Sequence, residues 1–115
     1  DIDRDGDLDI LVSNINSAPT LLRNDLEGGH WLQLELVHPT LSPVVGAIVT
    51  LQSGGRTQRR WIAGTSSYGG SSGRHVHFGL GEATMASDIR VRWPDGTEQL
   101  VGDLAADQFV RVAAP

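Results

Sequence analysis

The chain has 115 residues, 39% of them hydrophobic, which is enough for one domain with a core and too few for two large domains. It contains no cysteine, so disulfide frameworks and thiolate metal sites are excluded. Scattered arginines and few aromatic residues argue against a nucleic-acid partner, and no stretch approaches the roughly 18 consecutive apolar residues of a membrane span.

The net charge of −5 is concentrated at the start of the chain. The first nine residues hold five aspartates and one arginine, a net charge of −4. The rest of the chain carries nine acidic residues and eight arginines, a net charge of −1. The acidity therefore indicates a local site rather than a uniformly acidic surface.

The opening stretch, DIDRDGDLD, alternates aspartates around one glycine. Calcium takes roughly six to eight oxygen ligands, and a flexible loop of alternating carboxylates plus a backbone carbonyl can supply them. The predicted Ca²⁺ ligands are the side chains of Asp1, Asp3, Asp5 and Asp9 and the main-chain carbonyl of Asp7. An EF-hand is rejected because its last ligand position holds Val12 and a strand follows. The alternative is a solvated acidic terminus, which would not require this alternation around a glycine.

Beyond this loop, apolar residues alternate with a period of two and glycines mark the turns, which is typical of short β-strands. Strands are predicted over residues 8–12, 20–23, 30–37, 46–53, 56–63, 75–80, 89–93, 97–101 and 109–112. Gly54-Gly55 predicts a two-residue hairpin, residues 38–43 and 64–73 are predicted loops, and only residues 104–108 suggest a single helical turn. The pattern predicts an all-β fold, an antiparallel β-sandwich or alternatively a small β-barrel.

The predicted core follows from the alternation within these strands. In the third strand, Leu32, Leu34 and Leu36 share one side, and Gln33 and Glu35 share the other. The residues predicted to fill the core are Leu32, Leu34, Ile48, Val49, Leu51, Phe78, Val91 and Val110.

Two patterns resemble reactive sites but lack the required surroundings. His75 and His77 share one face of a strand, but no third ligand has a suggestive spacing, so a polar face or a hydrogen-bonded core is favoured over zinc. Residues 69–73, GGSSG, match the G-x-S-x-G motif, but a loop precedes them and a strand follows where a nucleophile elbow needs a helix. The sequence therefore predicts that the protein is not an enzyme.

The aromatic residues offer one candidate ligand surface. Trp31, Trp61, Trp93 and Tyr68 could stack on sugars, or each could anchor the core or a sheet edge. Trp93 is predicted to be structural because the turn residues Pro-Asp-Gly follow it. Trp61 and Tyr68 remain as the candidate ligand surface.

Two stretches of the chain resemble known families. Residues 1–12 resemble the calcium loop of FG-GAP/VCBS repeats, which build integrin-α-like β-propellers, and the tail of that repeat is matched by Asn14, Pro19, Leu22 and Asn24. Residues from about 30 to 112 resemble the ASPIC/UnbV domain of cartilage acidic protein and many bacterial exported proteins. The matching motifs are Gly46-Ala47-x-Val49, Tyr68, His77-Phe78-Gly79-Leu80-Gly81 and Val91-x-Trp93-Pro94-Asp95-Gly96. The resemblance divides the chain into a partial repeat, residues 1–27, and a sandwich domain, residues 28–115.

This resemblance implies a function. We expect a non-enzymatic, calcium-binding interaction or adhesion module that follows a β-propeller, is secreted or displayed at the cell surface, and binds an extracellular protein or glycan. The alternatives are a carbohydrate-binding accessory module of a larger secreted protein and a purely structural cap on the propeller. Because the chain starts inside the calcium motif without a methionine, we interpret it as a fragment of a longer protein, and any signal peptide would lie upstream of residue 1.

The first two strands are predicted to form a hairpin left over from a propeller blade. Away from the blade, the hairpin would present apolar side chains and an unpaired edge, and an isolated hairpin is marginal in water. We expect it to pair with a second copy and form a homodimer through residues 8–23. The alternative is that it folds back onto the sandwich.

Overall fold

The computed structural model describes residues 1–41, 44–68, 70–71 and 73–115. Residues 42 and 43 of the first predicted loop, and residues 69 and 72 of the second loop and its G-x-S-x-G match, lie outside the described residues. The described residues form β-strands and no helix, which confirms the all-β prediction. The strands are β1 (Ile10–Val12), β2 (Thr20–Leu22), β3 (His30–Val37), β4 (Ile48–Ser53), β5 (Arg56–Trp61), β6 (His75–Gly81), β7 (Met85–Arg92), β8 (Glu98–Ala105) and β9 (Gln108–Ala113).

The strands form three open sheets rather than the alternative small barrel. β1 and β2 form a hairpin, β6-β3-β9 form a three-stranded sheet, and β5-β4-β7-β8 form a four-stranded sheet. Every neighbouring pair is antiparallel except β3 and β9, which run parallel. The chain bends at Ala106 and Asp107. This bend connects β8, at one edge of the four-stranded sheet, to β9, at one edge of the three-stranded sheet. The predicted antiparallel sandwich is therefore correct except for this last pairing.

The two larger sheets enclose one apolar core, as expected of a β-sandwich. β3 contributes Leu32, Leu34 and Leu36, all at most 1% exposed. β6 in the same sheet contributes Phe78, and the four-stranded sheet contributes buried residues that include Val49, Leu51, Ile89 and Val91. Of the predicted core residues, Ile48 and Val110 are only partly buried. Ile48 points outward because its neighbour Val49 points inward, and adjacent residues of a strand face opposite sides.

Trp93 is a core residue, as its position before a turn predicts. It is 2% exposed, and its indole Nε1 donates a hydrogen bond to Oε1 of Gln99 at 3.0 Å. The ring of His38 lies beside it, with the ring centroids 5.8 Å apart. Both contacts tie the start of the Pro-Asp-Gly turn to the sandwich.

The strand boundaries differ from prediction where pairing is irregular. β7 begins at Met85 because a shift in register accommodates Ser87 and Asp88, and Asp88 takes a φ of 48°. The helical turn predicted over residues 104–108 is wrong. Leu104 pairs with Ala86 at the end of β8 and packs against the core, so tertiary contacts hold this segment extended.

The β1–β2 hairpin has no part in that core. Ile10 pairs with Leu22 and Leu11 with Leu21, which confirms the predicted hairpin. All of these side chains are exposed, with Leu11 at 70%. The hairpin therefore presents an apolar surface and an unpaired strand edge.

The core assignment predicts unequal costs for the same substitution at two sites. Leu51→Ala should lower the free energy of unfolding by about 2–5 kcal/mol because it leaves a cavity between the sheets. Leu100→Ala, at a side chain that is 65% exposed, should change it by no more than about 0.5 kcal/mol. Chemical denaturation followed by circular dichroism measures both free energies of unfolding. Equal losses in the two variants would contradict the sandwich.

Candidate metal centre and adjoining cleft

The opening loop, residues 1–9, closes on itself through hydrogen bonds to its carboxylates. Asp9 accepts hydrogen bonds from the backbone N–H of Ile2 at 2.8 Å and of Asn24 at 2.9 Å. These bonds lower the pKa of Asp9 from its usual value, so the carboxylate stays ionised at neutral pH. The loop and the segment after β2 are thus joined at a charged group.

The loop brings aspartate oxygens close enough to share a cation. Oxygens of Asp1, Asp3 and Asp9 lie within 4.8 Å of one another, and the same holds for Asp3, Asp5 and Asp25. Two oxygens bound to one calcium at 2.3–2.6 Å lie at most about 5 Å apart, so either trio fits. Asp3 belongs to both trios and is therefore the central residue of the cluster.

One oxygen of the first trio lacks a partner. Oδ1 of Asp1 is shielded from solvent and accepts no hydrogen bond within the described residues. Its other oxygen, Oδ2, accepts a hydrogen bond from the N–H of Gly6 at 3.2 Å. A shielded carboxylate oxygen without a donor is costly, and a bound cation would compensate it.

The geometry can be compared with the residues predicted from the sequence. Asp1, Asp3 and Asp9 form one trio, whereas Asp5 joins Asp3 and Asp25 in the other, so the four predicted side chains do not form a single set. The side chain of Asp7 belongs to neither trio and lies beside residue 28. The prediction assigned only the carbonyl of Asp7 to the metal.

Sequence reasoning missed Asp25, which no local spacing connects to the loop. It reaches the cluster because the hairpin returns the chain to the loop after β2. Arg23 forms ion pairs with Asp3 at 3.2 Å and with Asp25 at 2.5 Å. An arginine therefore offsets part of the negative charge of the second trio.

A close contact seats the loop on the three-stranded sheet. Gly6 is buried against the indole of Trp31, and a Cβ at this position would lie 1.9 Å from Nε1. Gly6 also has a φ of 98°, which favours glycine. Trp31 in turn contacts Phe109 edge-on, with centroids 4.8 Å apart, and stacks on His77 at 6.3 Å.

A cleft of about 710 Å³ lies between this loop and the outer face of the three-stranded sheet. Two rows of side chains cross that face. In the first row, Gln33 on β3 lies opposite His77 on β6 and Phe109 on β9. In the second row, Glu35 on β3 lies opposite His75 on β6 and Arg111 on β9.

His30 makes a structural contact at the start of β3, and the two histidines of β6 are considered with it. Nδ1 of His30 lies 2.6 Å from a carboxylate oxygen of Asp107, which lowers the pKa of Asp107 from its usual value. Asp107 also accepts a hydrogen bond from the N–H of Trp31, so it fixes the start of β3. Within the described part of the chain, neither His75 nor His77 joins a cluster of three potential metal ligands.

The candidate ligand surface lies elsewhere. Trp61 is 66% exposed at the end of β5, opposite Ile48 on β4. Arg92 flanks Ile48 on the other side. Tyr68 is fully exposed in the following loop. No ring contact joins Tyr68 to Trp61 among the residues that the structure describes.

Comparison with known proteins adds a family to this geometry. The family model for ASPIC and UnbV matches residues 39–115. The chain belongs to the ASPIC and UnbV family. No curated protein and no solved structure matches it significantly.

The family match and the structure divide the chain at different places. The match covers β4 to β9 of this ASPIC/UnbV chain, whereas β3 forms the centre of the three-stranded sheet although it precedes the match. The opening loop also lies before the match. Its resemblance to an FG-GAP/VCBS repeat therefore stays a prediction.

Within the described residues, no helix has the length and apolar character to cross a membrane.

The contact between the loop and Trp31 predicts a local effect of a glycine substitution. Gly6→Ala should displace the loop, because its methyl group would overlap the indole. The Nε1–H resonance of Trp31 should then shift in a heteronuclear NMR spectrum.

Gly96→Ala is the matched control. Gly96 has a φ of 90°, and a Cβ there would meet nothing within 4 Å, so both variants carry a similar backbone strain of about 1–3 kcal/mol. An unchanged Trp31 resonance in Gly6→Ala, or an equal shift in both variants, would contradict the contact.

Proposed function

We propose that this ASPIC/UnbV domain is a non-enzymatic, calcium-binding interaction module of an exported protein, and that it follows a β-propeller. The observation that carries the metal assignment is the convergence of Asp1, Asp3 and Asp9, in which one shielded oxygen of Asp1 has no donor among the residues that the structure describes. Oxygen-only ligands on a flexible loop suit Ca²⁺ better than Mg²⁺, which requires a tighter octahedron.

Calcium would have a structural role in this module. Five aspartates within nine residues repel one another, and Arg23 offsets only part of that charge. A divalent cation would halve the net charge of −4 that residues 1–9 carry and hold the loop in the shape that packs Gly6 on Trp31. The cation would thereby fix one wall of the cleft, which supports a role in binding an extracellular protein or glycan.

The non-enzymatic assignment rests on the surroundings of the one nucleophile motif. β6 follows the G-x-S-x-G match, whereas a nucleophile elbow requires a helix that directs backbone N–H groups at the developing oxyanion. Residues 69 and 72 of the match lie outside the described part of the chain, and β6 is the described element that stands where the helix of an elbow would be.

Calcium binding is testable by calorimetry on a chain that carries extra residues before Asp1, which keep the terminal amino group away from the site. We expect a Kd of roughly 10⁻⁴–10⁻³ M, as for extracellular modules. About 1 mM calcium should then add about 0.4–1.4 kcal/mol to the free energy of unfolding.

Asp3→Asn should weaken calcium binding by about tenfold or more, because Asp3 belongs to both trios and affinity follows ligand charge. Asp88→Asn makes the same change in the four-stranded sheet and should leave the affinity unaltered. Absence of calcium binding in the wild type would refute the proposal, as would equal losses in the two variants.

A carbohydrate-binding accessory module is the second candidate function. It is favoured by the exposure of Trp61, which lies on a sheet face that also carries Arg59, Arg90 and Arg92. A structural cap is less favoured, because a cap without a ligand of its own would bury its tryptophans, and Trp61 is 66% exposed.

We propose that the hairpin is the site of self-association in the isolated chain. Its exposed apolar residues and free strand edge invite pairing with a second copy, as they would pair with the missing strands of a blade. Replacing the opposed residues Ile10 and Leu22 by Lys and Glu keeps a cross-strand pair but removes the apolar surface.

The double variant Ile10→Lys/Leu22→Glu should be monomeric by light scattering at concentrations where the wild type is a dimer. The control variant Leu100→Glu changes an exposed residue of the four-stranded sheet, and it should remain dimeric. A wild type that is monomeric at high concentration would refute the dimer.

A further inference from the structure

We propose that the cleft between the opening loop and the three-stranded sheet binds a saccharide residue through Gln33 and His77, with Phe109 as its apolar wall. The inference rests on the proposed role as a binding module, and it adds the site and the chemical class of ligand. The site is separate from Trp61, which lies on the four-stranded sheet.

The register of the sheet places the three binding residues side by side. Gln33 faces away from the core because Leu32 and Leu34, its neighbours on β3, both point into it. His77 and Phe109 are its direct partners on the two flanking strands. Neighbouring strands lie about 4.7–4.9 Å apart, so the three residues form one continuous row on the cleft floor.

Two buried polar atoms in this row have no hydrogen-bond partner among the described residues. Gln33 is only 8% exposed, yet its Oε1 accepts no hydrogen bond from any described residue. The Nδ1 atom of His77 is likewise buried and unpaired within the described part of the chain. Buried polar groups are nearly always satisfied, so both atoms call for a partner. Gln33 and His77 both line the cleft, and a small turn of either side chain would present its polar atom to a ligand there.

The chemistry of the two atoms fits sugar hydroxyls. Burial lowers the pKa of His77, so its imidazole is neutral and Nδ1 can either donate or accept according to its tautomer. The amide oxygen of Gln33 accepts only. A hydroxyl group both donates and accepts, so adjacent hydroxyls of one sugar ring can satisfy both atoms.

The size and charge of the cleft argue against other occupants. Its volume of about 710 Å³ is many times the ~30 Å³ of a water molecule and falls in the range of small-molecule sites. Glu35 is offset by Arg111, with the charged atoms 3.8 Å apart, and Arg4 lies near Phe109 on the loop side. Charges of both signs therefore line the cleft, which favours a neutral polyhydroxylated ligand over an ion.

The opening loop connects this site to the metal centre. Asp1 and Asp9 line the cleft and also belong to the first aspartate trio. A cation held by that trio would fix the wall above Gln33. We therefore expect tighter saccharide binding with calcium than with a chelator, while the floor of the site remains formed in both.

NMR titration of the 115-residue chain tests the inference, with glucose, galactose, mannose, xylose and N-acetylglucosamine as probes. At least one sugar should shift the side-chain amide resonances of Gln33 and the imidazole resonances of His77 in a saturable way. Gln33→Met keeps the shape but removes the amide, and it should weaken binding about tenfold. Gln52→Met, the same change at an exposed position of β4, should have no effect.

If Gln33→Met does not fold, His77→Phe provides a second test, because it keeps a ring beside Trp31 and removes Nδ1. It should cause a similar loss. No saturable shift at Gln33 and His77 with any probe would overturn the inference, and so would shifts confined to the surroundings of Trp61. Saccharide binding in a chain that shows no calcium binding would refute the metal assignment and leave this site standing.

Discussion

The alternation of side chains along β3 is the constraint on which the rest of this structure depends. Its inward residues, Leu32, Leu34 and Leu36, form the centre of the core, and Gln33 and Glu35, on its outward side, form the floor of the cleft. A one-residue slip in register would exchange the two sets and destroy both. Because β3 lies between β6 and β9, the same register also aligns the side chains of its neighbours.

The opening loop depends on that strand for its position. Trp31 provides the surface on which Gly6 lies, and Asp107 holds the backbone of Trp31 from the other side. The loop itself is unfavourable without a counter-charge, since its carboxylates repel one another. Its hydrogen bonds to backbone N–H groups and the ion pairs of Arg23 supply part of the compensation. The shielded oxygen of Asp1 is the part of the loop that these contacts leave unsatisfied.

The sequence predicts those features that local patterns determine. The strands were predictable from alternation. The hairpin at Gly54 and Gly55 was predictable because glycine readily takes a positive φ, which both residues have in the structure. The parallel pairing of β9 with β3 was not predictable, because it depends on where the chain crosses from one sheet to the other. Asp25 reaches the aspartate cluster only through the return of the hairpin, and no spacing in the sequence reveals it. The alternation placed Gln33 on the side of β3 opposite the core leucines, but it did not predict that Gln33 would be only 8% exposed there.

The shared residues of the two sites have a thermodynamic consequence. Asp1 and Asp9 belong to the proposed metal centre and also line the cleft, so the free energies of binding at the two sites are not independent. If calcium raises the affinity of the cleft for a ligand by some factor, the ligand must raise the affinity for calcium by the same factor. Extracellular modules bind calcium with affinities close to its ambient concentration, so their sites are only partly filled. In that regime, a ligand in the cleft would complete the occupancy of the loop, and the loop would in turn retain the ligand.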